Sequence, residues 1–303
     1  MALYTYDDSS RREDLLSVIK DVSPVASNYL VTRLGSSTAY NTVHEWPVRN
    51  IGRATSDNSM AEGGTPTEPV GDAPTRSQNF TAVIARAVKV SGTEAAIRRA
   101  LPGSAIDDEK MVKLMRLKAD MEWALINGAK ASGASGTARK MSGINSVIST
   151  NLTARASGTS MSVTELEDIM QNSWDATGGE GFTADVVLCP MGIKRKIASF
   201  TTRVQAQTPA EDRIFNNISY FETSSGTVKI VPHKDVINAT GSTHVLAIRE
   251  DFYKMAFLTG REPKYEPLAK TGDFDTGMYV TELTLESQAE HASVKRFGYA
   301  LTG

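Results

Sequence analysis

The longest apolar repeat in the chain predicts one helix between residues 105 and 127. Its apolar side chains recur every three or four positions, which is typical of one helical face, and they are Met111, Leu114, Met115, Leu117, Met121 and Leu125. Ser104 is a candidate N-cap, and Gly128 is placed to end the helix. At about 1.5 Å per residue the helix is roughly 35 Å long. Opposite charges four residues apart predict two ion pairs on its polar face, Arg116 with Asp120 and Lys118 with Glu122.

Two shorter helical patterns come first in the chain. SSRREDLLSVIKDV begins with the capping-box pair Ser10 and Glu13 and carries the apolar stripe Leu15, Val18, Ile19 and Val22. SPVASNYLVTRLG has Pro24 at the favoured first position of a helix and Gly35 where a helix would end. We therefore expect a helical N-terminal arm, with about 40 residues before the first strand.

Two strand-like segments flank an unusual stretch at residues 54–79. In TVHEWPVRNI and FTAVIARAVKV the apolar residues alternate, which predicts an antiparallel ribbon. The stretch between them has three prolines, three glycines and only two large apolar side chains, Met60 and Val70. Structureless connections of this length are uncommon within compact domains. Because a two-stranded ribbon is marginally stable alone in water, we expect this one to lie on another surface.

The second half of the chain alternates between helical and strand patterns. After a small, polar segment at residues 128–150, which predicts a surface loop, SVTELEDIMQNSW predicts a helix with the capping box Ser162 and Glu165. Its apolar stripe is Leu166, Ile169, Met170 and Trp174. ADVVLCP and THVLAI predict buried strands, TVKIVPHKDV a strand ending at Pro232, MGIKRKIASF a short helix, and GMYVTELTLESQAEHASVKRFGYAL two strands. This order favours an α+β fold.

Composition and motifs exclude several classes of function. The net charge of −2 argues against a dedicated nucleic-acid binder, and the single cysteine, Cys189, excludes an intramolecular disulfide and a cysteine zinc cluster. No apolar run is long enough to cross a membrane, and the N-terminus lacks the apolar segment of a secretion signal. Phosphate-loop, dinucleotide, metal-protease and acyl-transfer motifs are absent, so we predict no catalytic, cofactor or metal residues.

A soluble serine hydrolase stays open as a minor alternative. SVIK, Ser17 to Lys20, fits the S-x-x-K pattern of acylating serines, but the companion motifs of those enzymes are missing. The four histidines lack metal-ligand spacing and are interpreted as ordinary surface or strand residues: His44, His233, His244 and His291.

Five segments, in order, resemble one protein family. They are REDLLSVIKDVSPVASNYL, HEWPVRNI followed by EGG, RKMSGINSVI, GTVKIVPHKDV, and PLAKTGDFDTGMYVTELTLE. Together they resemble the major capsid proteins of tailed bacteriophages with the Hong Kong 97-type fold. The resemblance implies an N-terminal arm at 1–40, an extended loop on a β-ribbon at 41–95, a peripheral domain with a spine helix at 96–160 and 272–303, and an axial domain at 161–271. It also implies that the final two strands lie beside the spine helix.

The resemblance implies that the chain assembles with itself, as hexamers and pentamers, into an icosahedral head shell. The expected partners are a portal, separate scaffolding or decoration proteins, and packaged double-stranded DNA bound without sequence preference; no cofactor and no membrane are expected. The protein would be part of the virion and would assemble in the host bacterial cytoplasm. A shell subunit of a cellular, encapsulin-like nanocompartment is the nearest alternative.

The expected assembly contacts lie in the loop, the ribbon and the arm: Met60, Glu62, Val70, Arg76, Trp46, Arg11, Arg12 and Glu13. Arg11, Arg12 and Lys20 are also candidates for facing the DNA. Some relatives crosslink a lysine of this loop to an asparagine of the neighbouring subunit, but residues 51–80 contain no lysine, so we expect no such crosslink. Because the matching arm begins by residue 12, we expect a separate scaffolding protein or none.

Overall fold

Two β-sheets, a separate two-stranded ribbon and one long helix form the part of the chain that the computed structural model describes, which is residues 28–49, 59–65, 73–97, 104–175, 181–200, 220–224, 226–236 and 243–300. The helices are α1 (Tyr29–Arg33), α2 (Gly92–Ala96), α3 (Ala105–Asn127), α4 (Ile144–Val147), α5 (Val163–Trp174) and α6 (Met191–Ser199). The strands are β1 (Gly35–Ala39), β2 (Val43–Val48), β3 (Thr75–Phe80), β4 (Ala82–Ser91), β5 (Leu152–Thr159), β6 (Val186–Cys189), β7 (Tyr220–Thr223), β8 (Gly226–Pro232), β9 (Thr243–Ile248), β10 (Tyr253–Leu258), β11 (Lys264–Pro267), β12 (Phe274–Ser287) and β13 (Val294–Tyr299).

Strand β12 organises the five-stranded sheet. It is 14 residues long and pairs antiparallel with β4 through Phe274–Leu283 and with β10 through Leu283–Ser287. Strand β11 pairs with β12 as well, and β1 lies parallel to β10 at the edge. Helix α3 packs on β4 and β12, so its burial and that of the central strand support each other.

The six-stranded sheet, in the order β5-β13-β9-β6-β8-β7, has a hydrophobic cluster on each face. In β6, Val186 and Leu188 belong to one cluster, whereas Val187 and Cys189 belong to the other. Burial on both faces explains why the strand is a continuous apolar run. The predictions for ADVVLCP, THVLAI, TVKIVPHKDV and MGIKRKIASF are confirmed. Burial raises the pKa of the Cys189 thiol to about 12, as expected of a core cysteine.

The long helix is confirmed, but its predicted apolar face is only half buried. Leu117, Met121 and Leu125 are buried in the second half of α3, where α1 and α4 also contact the helix. In the first half, Met111 and Met115 are 61% and 40% exposed. The helical period therefore identified the face correctly, but it carries no information on how far the neighbouring elements extend along it.

Both ion pairs predicted on α3 are wrong because tertiary partners take the carboxylates. Asp120 Oδ1 accepts a hydrogen bond from Arg86 Nη2 of β4 at 2.6 Å. Glu122 is almost completely buried. The pairs that do form along the helix lie nearer its start, Lys113 with Glu109 at 2.8 Å and Lys110 with Asp107 at 3.1 Å.

The predicted ribbon exists, but the segment that was predicted as its second strand belongs to a different sheet. Strand β2 pairs with β3, from Val43 opposite Phe80 to Val48 opposite Thr75. The alternating segment after Phe80 is β4, which pairs with β12 in the five-stranded sheet. Residues 75–79 of the unusual stretch are therefore strand, and polar side chains concealed this because most of them are exposed in the ribbon and need no apolar alternation.

Besides β3, strands β1, β5, β7, β10 and β11 were not predicted. Strand β1 begins at Gly35, so the expectation of about 40 residues before the first strand is wrong, and β5 follows the predicted surface loop. Both lie at the edge of their sheets and contain mainly small or polar residues. Such sequences lack the β-branched and aromatic enrichment by which strands are recognised.

The placement of the final strand beside the spine helix is also wrong. The end of the chain does form two strands, and β12 packs against α3. However, β13 pairs with β5 and β9 in the six-stranded sheet, while β10 and β11 join β12. The division into arm, loop, peripheral and axial segments at residues 40, 95, 160 and 271 stays a prediction.

Helix α5 is confirmed, with half of its capping box. Ser162 Oγ accepts a hydrogen bond from the Glu165 backbone N–H at 3.2 Å. The Glu165 carboxylate instead accepts hydrogen bonds from Tyr299 and Arg296. Trp174, predicted on the apolar stripe, is 52% exposed. The helical segment predicted at residues 10–22 lies outside the described residues.

A buried carboxylate on α3 holds the start of α1. Glu122 accepts hydrogen bonds from the backbone N–H groups of Leu30 and Val31, each at 2.8 Å, and contacts His233 Nε2 at 2.9 Å. Because His233 Nδ1 accepts the Asp235 backbone N–H, the ring proton lies on Nε2 and is donated to Glu122. Glu122 therefore satisfies backbone donors at the N-terminal end of α1, where the N-cap residue Asn28 makes no side-chain capping hydrogen bond.

We predict that Glu122→Gln destabilises the unassembled subunit by about 1–3 kcal/mol, because an amide cannot accept all three buried N–H groups. Glu109→Gln, near the partly exposed start of the same helix, is the matched control, and we expect it to change stability by less than about 0.5 kcal/mol. Urea unfolding of both variants measures the difference. Equal stabilities for the two variants would contradict the assignment of Glu122.

Candidate assembly site

The β2–β3 ribbon stands apart from both sheets. Among the described residues, its two strands pair only with each other. Its side chains include the Arg76–Glu45 pair, whose nitrogen and oxygen lie 3.6 Å apart with 81% and 45% of the side chains exposed. Such an exposed pair contributes little stability. The direction of the ribbon therefore depends on how its base is attached to the subunit.

An aromatic anchor attaches β2 to the end of β12. Trp46 is 9% exposed, and its Nε1–H donates a hydrogen bond to the Ser287 carbonyl at 2.8 Å. His44 lies beside it, with ring centroids 5.4 Å apart, and His44 Nε2 is 3.5 Å from Glu286 Oε2. The indole thus buries its apolar body while its N–H is satisfied.

A buried amide attaches β3. Asn79 is 2% exposed, and its Nδ2 donates hydrogen bonds to the Leu285 carbonyl at 2.8 Å and the Ser142 carbonyl at 3.1 Å. Its Oδ1 accepts the backbone N–H groups of Ser142 and Phe80, both at 2.9 Å. All the ordinary hydrogen-bonding capacity of this side chain is therefore used. A fully satisfied buried amide fixes orientation as well as contributing stability.

The segment that follows α3 also contacts the ribbon base. Lys130 Nζ donates to the Gln78 carbonyl at 2.9 Å, and Arg139 Nε donates to the Thr81 carbonyl at 2.6 Å. Arg139 Nη2 donates to Thr81 Oγ1 at 2.8 Å and pairs with the buried carboxylate of Glu282. We call residues 78–81 the ribbon root and residues 130–142 the root clamp.

The root clamp was predicted as part of a surface loop, and the prediction is confirmed for residues 130–140, which are mostly exposed and outside helices and strands, but not for the buried end of the segment. Ala131 and Lys140 form an antiparallel bridge, and Met141 at its end is buried. The segment closes tightly because glycines meet at its base: a Cβ added to Gly143 would lie 2.6 Å from the Gly128 nitrogen. Small residues are typical of flexible loops, but here the glycines allow the two ends of the segment to approach each other closely.

The described part of the loop tip forms an exposed turn. The Gly64 N–H donates to the Ala61 carbonyl at 2.9 Å, and Gly63 has φ of 79°, in the left-handed region that favours glycine. The turn accounts for the glycines of the EGG sequence. Met60, beside the turn, is 54% exposed, and Glu62 is exposed as well.

The structure separates the predicted contact residues into three groups. Met60, Glu62 and Arg76 are exposed, whereas Trp46 is buried against its own chain. The remaining candidates, Val70, Arg11, Arg12 and Glu13, lie outside the described residues, as do Lys20 and the SVIK segment. A role of any of these residues in assembly stays a prediction.

Sequence reasoning missed Asn79 and Arg139. Asparagine is depleted in strands, so Asn79 directly before the alternating β4 segment was a usable signal of a side chain with a specific hydrogen-bonding task. Arg139 had no comparable signal, because its partners Thr81 and Glu282 are distant in sequence.

The histidines have structural settings of different kinds. His233 is buried against Glu122, His44 lies beside Glu286, and His244 contacts Asn145 Oδ1 at 2.9 Å through Nδ1. No group of histidine, cysteine or acidic side chains within the described ranges could hold a metal ion. No helix in those ranges is both long and apolar enough to cross a membrane.

Comparison with known proteins identifies the family and the fold. The model of the family described as SU10 major capsid protein matches residues 2–299. No curated protein matches the chain.

Solved structures of shell proteins are similar across nearly the whole chain. The capsid of a native GTA particle is 12% identical with a TM-score of 0.66, covering 98% of this chain and 98% of the other. The capsid of Myoviridae phage XM1 is 11% identical with a TM-score of 0.64, covering 94% and 96%. The holo-SrpI encapsulin complex of Synechococcus elongatus PCC 7942 is 12% identical with a TM-score of 0.63, covering 96% and 94%.

We predict that His244 makes the unassembled subunit sensitive to mild acid. Burial, and secondarily Lys295, lowers the pKa of His244 from its ordinary value of 6.5. The unfolded chain therefore takes up a proton first, and stability is lost as pH falls below about 6.5 towards the lowered folded-state pKa.

His244→Gln is expected to remove this part of the loss, as measured by urea unfolding between pH 8 and pH 5. Between pH 7.5 and 8, where the imidazole is neutral in both the folded and the unfolded state, the free energies of unfolding of variant and wild type should show the same dependence on pH. An unchanged acid slope in the variant would contradict the prediction.

Proposed function

This chain belongs to the SU10 major capsid protein family, and from that premise we propose how its copies hold a shell together. The protein is a subunit of a bacteriophage head shell, it has the α+β Hong Kong 97-type capsid fold, and its copies assemble with one another. In this proposal the β2–β3 ribbon and the loop it carries lie on a neighbouring copy of the subunit.

The observation that carries the proposal is the contrast between the two ends of the ribbon. Its base is fixed by the indole of Trp46 and the buried amide of Asn79. Towards the other end, the Arg76 side chain is 81% exposed, and in the loop that the ribbon carries Met60 is 54% exposed. A ribbon that cannot bury enough surface by itself gains burial on an adjoining subunit. In a closed symmetric shell the same contact is repeated at every position, so modest contacts accumulate into a stable assembly.

Exposed apolar side chains elsewhere support extensive self-contact. Met111 and Met115 lie along one side of α3, and Trp123 on the same helix is 54% exposed. Methionine and tryptophan are enriched at the centres of protein interfaces. We propose that assembly covers part of this surface.

The shell encloses double-stranded DNA in this proposal. A net charge of −2 suits weak contacts with phosphates that carry no sequence preference. A portal completes the head, with either a separate scaffolding protein or none and with decoration proteins where the particle has them, and assembly takes place in the host bacterial cytoplasm. The boundaries of the arm, extended loop, peripheral and axial segments belong to the same proposal.

The alternatives are less well supported. An encapsulin-like nanocompartment is not favoured, because the likeness to the SrpI encapsulin at 12% identity shows the fold alone, whereas the family match is to a major capsid protein. The capsid family indicates a structural, non-enzymatic role. The serine hydrolase hypothesis lacks any supporting geometry, since Ser17 and Lys20 lie outside the described residues.

Replacing residues 49–74 by Asn-Gly tests the proposed contact. The replacement joins Val48 to Thr75, which are paired at the end of the ribbon, by a two-residue turn of the kind that suits a hairpin, so the ribbon itself is kept. We expect a folded subunit that no longer closes into stable shells, as seen by electron microscopy and sedimentation. The circular dichroism spectrum and melting temperature of the unassembled subunit are the control. Normal yields of intact shells from the variant would refute the proposal.

Mature particles are expected to lack covalent crosslinks from the loop, because residues 51–80 contain no lysine. Denaturing electrophoresis without reduction should give one band near the chain mass of 32.7 kDa. A ladder of higher bands that includes peptides from this loop would contradict the expectation.

A further inference from the structure

We infer that Asn79, assisted by Arg139, is a positioning residue that sets the direction in which the ribbon leaves the subunit, and thereby the diameter at which the shell closes. The inference rests on the proposed contact between the ribbon and a neighbouring copy. It goes beyond that contact because it assigns the control of shell geometry to residues inside one subunit.

The first argument is the location of the contacts. Thr81 N–H donates to the Thr42 carbonyl at 2.9 Å, so the chain crosses from the ribbon to the five-stranded sheet at this point. Asn79 joins the crossing to two separate parts of the subunit, Leu285 of β12 and Ser142 of the root clamp. The direction of the ribbon is thus fixed relative to the central strand and to the segment that begins at the end of α3.

The second argument is the completeness of the contacts. A polar side chain with 2% exposure would tolerate several orientations only if some of its hydrogen bonds were dispensable. Here both donors and both acceptor positions of the Asn79 amide are used, so a rotation of the ribbon breaks contacts on one side or the other. Arg139 reinforces the same point through two atoms of Thr81.

The third argument is leverage. Strand β3 continues for three residues beyond the root, from Ser77 to Thr75, so the ribbon extends about 10 Å from its root at roughly 3.3 Å per residue. A tilt of about 10° at the root displaces the far end by roughly 1.8 Å, more than three times the spread of about 0.5 Å over which hydrogen-bond lengths vary. A small change at the root therefore changes which neighbour geometry the loop can meet. Curvature, and with it diameter, follows from that geometry because the shell is closed by symmetry.

The test compares shells of wild type, Asn79→Ala, Arg139→Lys and Ser173→Ala, all purified in the same way. Ser173 is the matched control, since it is fully buried and its Oγ donates to the Ala292 carbonyl at 2.6 Å, outside the ribbon root and the root clamp. Arg139→Lys keeps the charge beside Glu282 and removes the forked contact with Thr81. Melting temperature reports the stability of the unassembled subunit, whereas cryo-electron microscopy and light scattering report shell diameter.

We expect Asn79→Ala and Arg139→Lys to give shells of altered or mixed diameter, while Ser173→Ala lowers the melting temperature and leaves the diameter at the wild-type value. Wild-type diameters in both root variants, or an equal disturbance in Ser173→Ala, would overturn the inference. If Asn79→Ala does not yield folded protein, Arg139→Lys decides the outcome.

The 49–74 replacement, made in parallel, separates this inference from the proposed contact. Loss of closure in that variant with normal diameters in both root variants would refute the positioning role alone. Normal closure in that variant would refute the contact on which the inference rests.

Discussion

A two-stranded ribbon buries too little of its own surface to keep one orientation in water. Most of the structure around the ribbon therefore depends on the contacts that supply the missing burial. On the side of the subunit, buried and partly buried side chains with hydrogen-bonding groups supply the missing contacts. Trp46 and Asn79 attach the two strands to the same end of β12, and Arg139 attaches the crossing point through Thr81. On the far side, in the function proposed above, an adjoining copy of the chain supplies the missing burial.

Buried polar contacts also hold helix α1 against α3. Glu122 is a carboxylate in the core whose acceptors are occupied by two backbone N–H groups of α1 and by His233. Burying such a group without partners would be strongly unfavourable, so the three donors and the carboxylate specify one another. Near the same helix, Tyr29 donates to Glu250 at 2.6 Å, and burial together with this bond raises the pKa of the tyrosine. The apolar clusters thus provide stability, and the buried polar groups determine how the ribbon and α1 are placed on the rest of the chain.

Sequence patterns predicted the elements whose burial is periodic or continuous. Helix α3 and strands β6, β8 and β9 were found because their apolar residues follow the helical repeat or form uninterrupted runs. Strands β1, β3 and β5 were missed because they are edge or ribbon strands, where backbone pairing needs no apolar side chains. Trp46 was chosen as a contact with a neighbour, but the structure places its indole on its own chain, which periodicity could not distinguish. The contacts between the root clamp and the ribbon root were not predicted either, because a glycine-rich polar sequence is compatible with both a loop and a close backbone junction.

The central claim is that the ribbon is fixed at its root and bound to a neighbour at its far end. A cryo-electron microscopy map of the closed wild-type shell, at a resolution that shows side chains, tests both halves at once. The account predicts that density for residues 49–74 lies on an adjoining subunit while Asn79 keeps its bonds to Ser142 and Leu285. A ribbon folded back over its own subunit, with no contact to an adjoining copy, would contradict it.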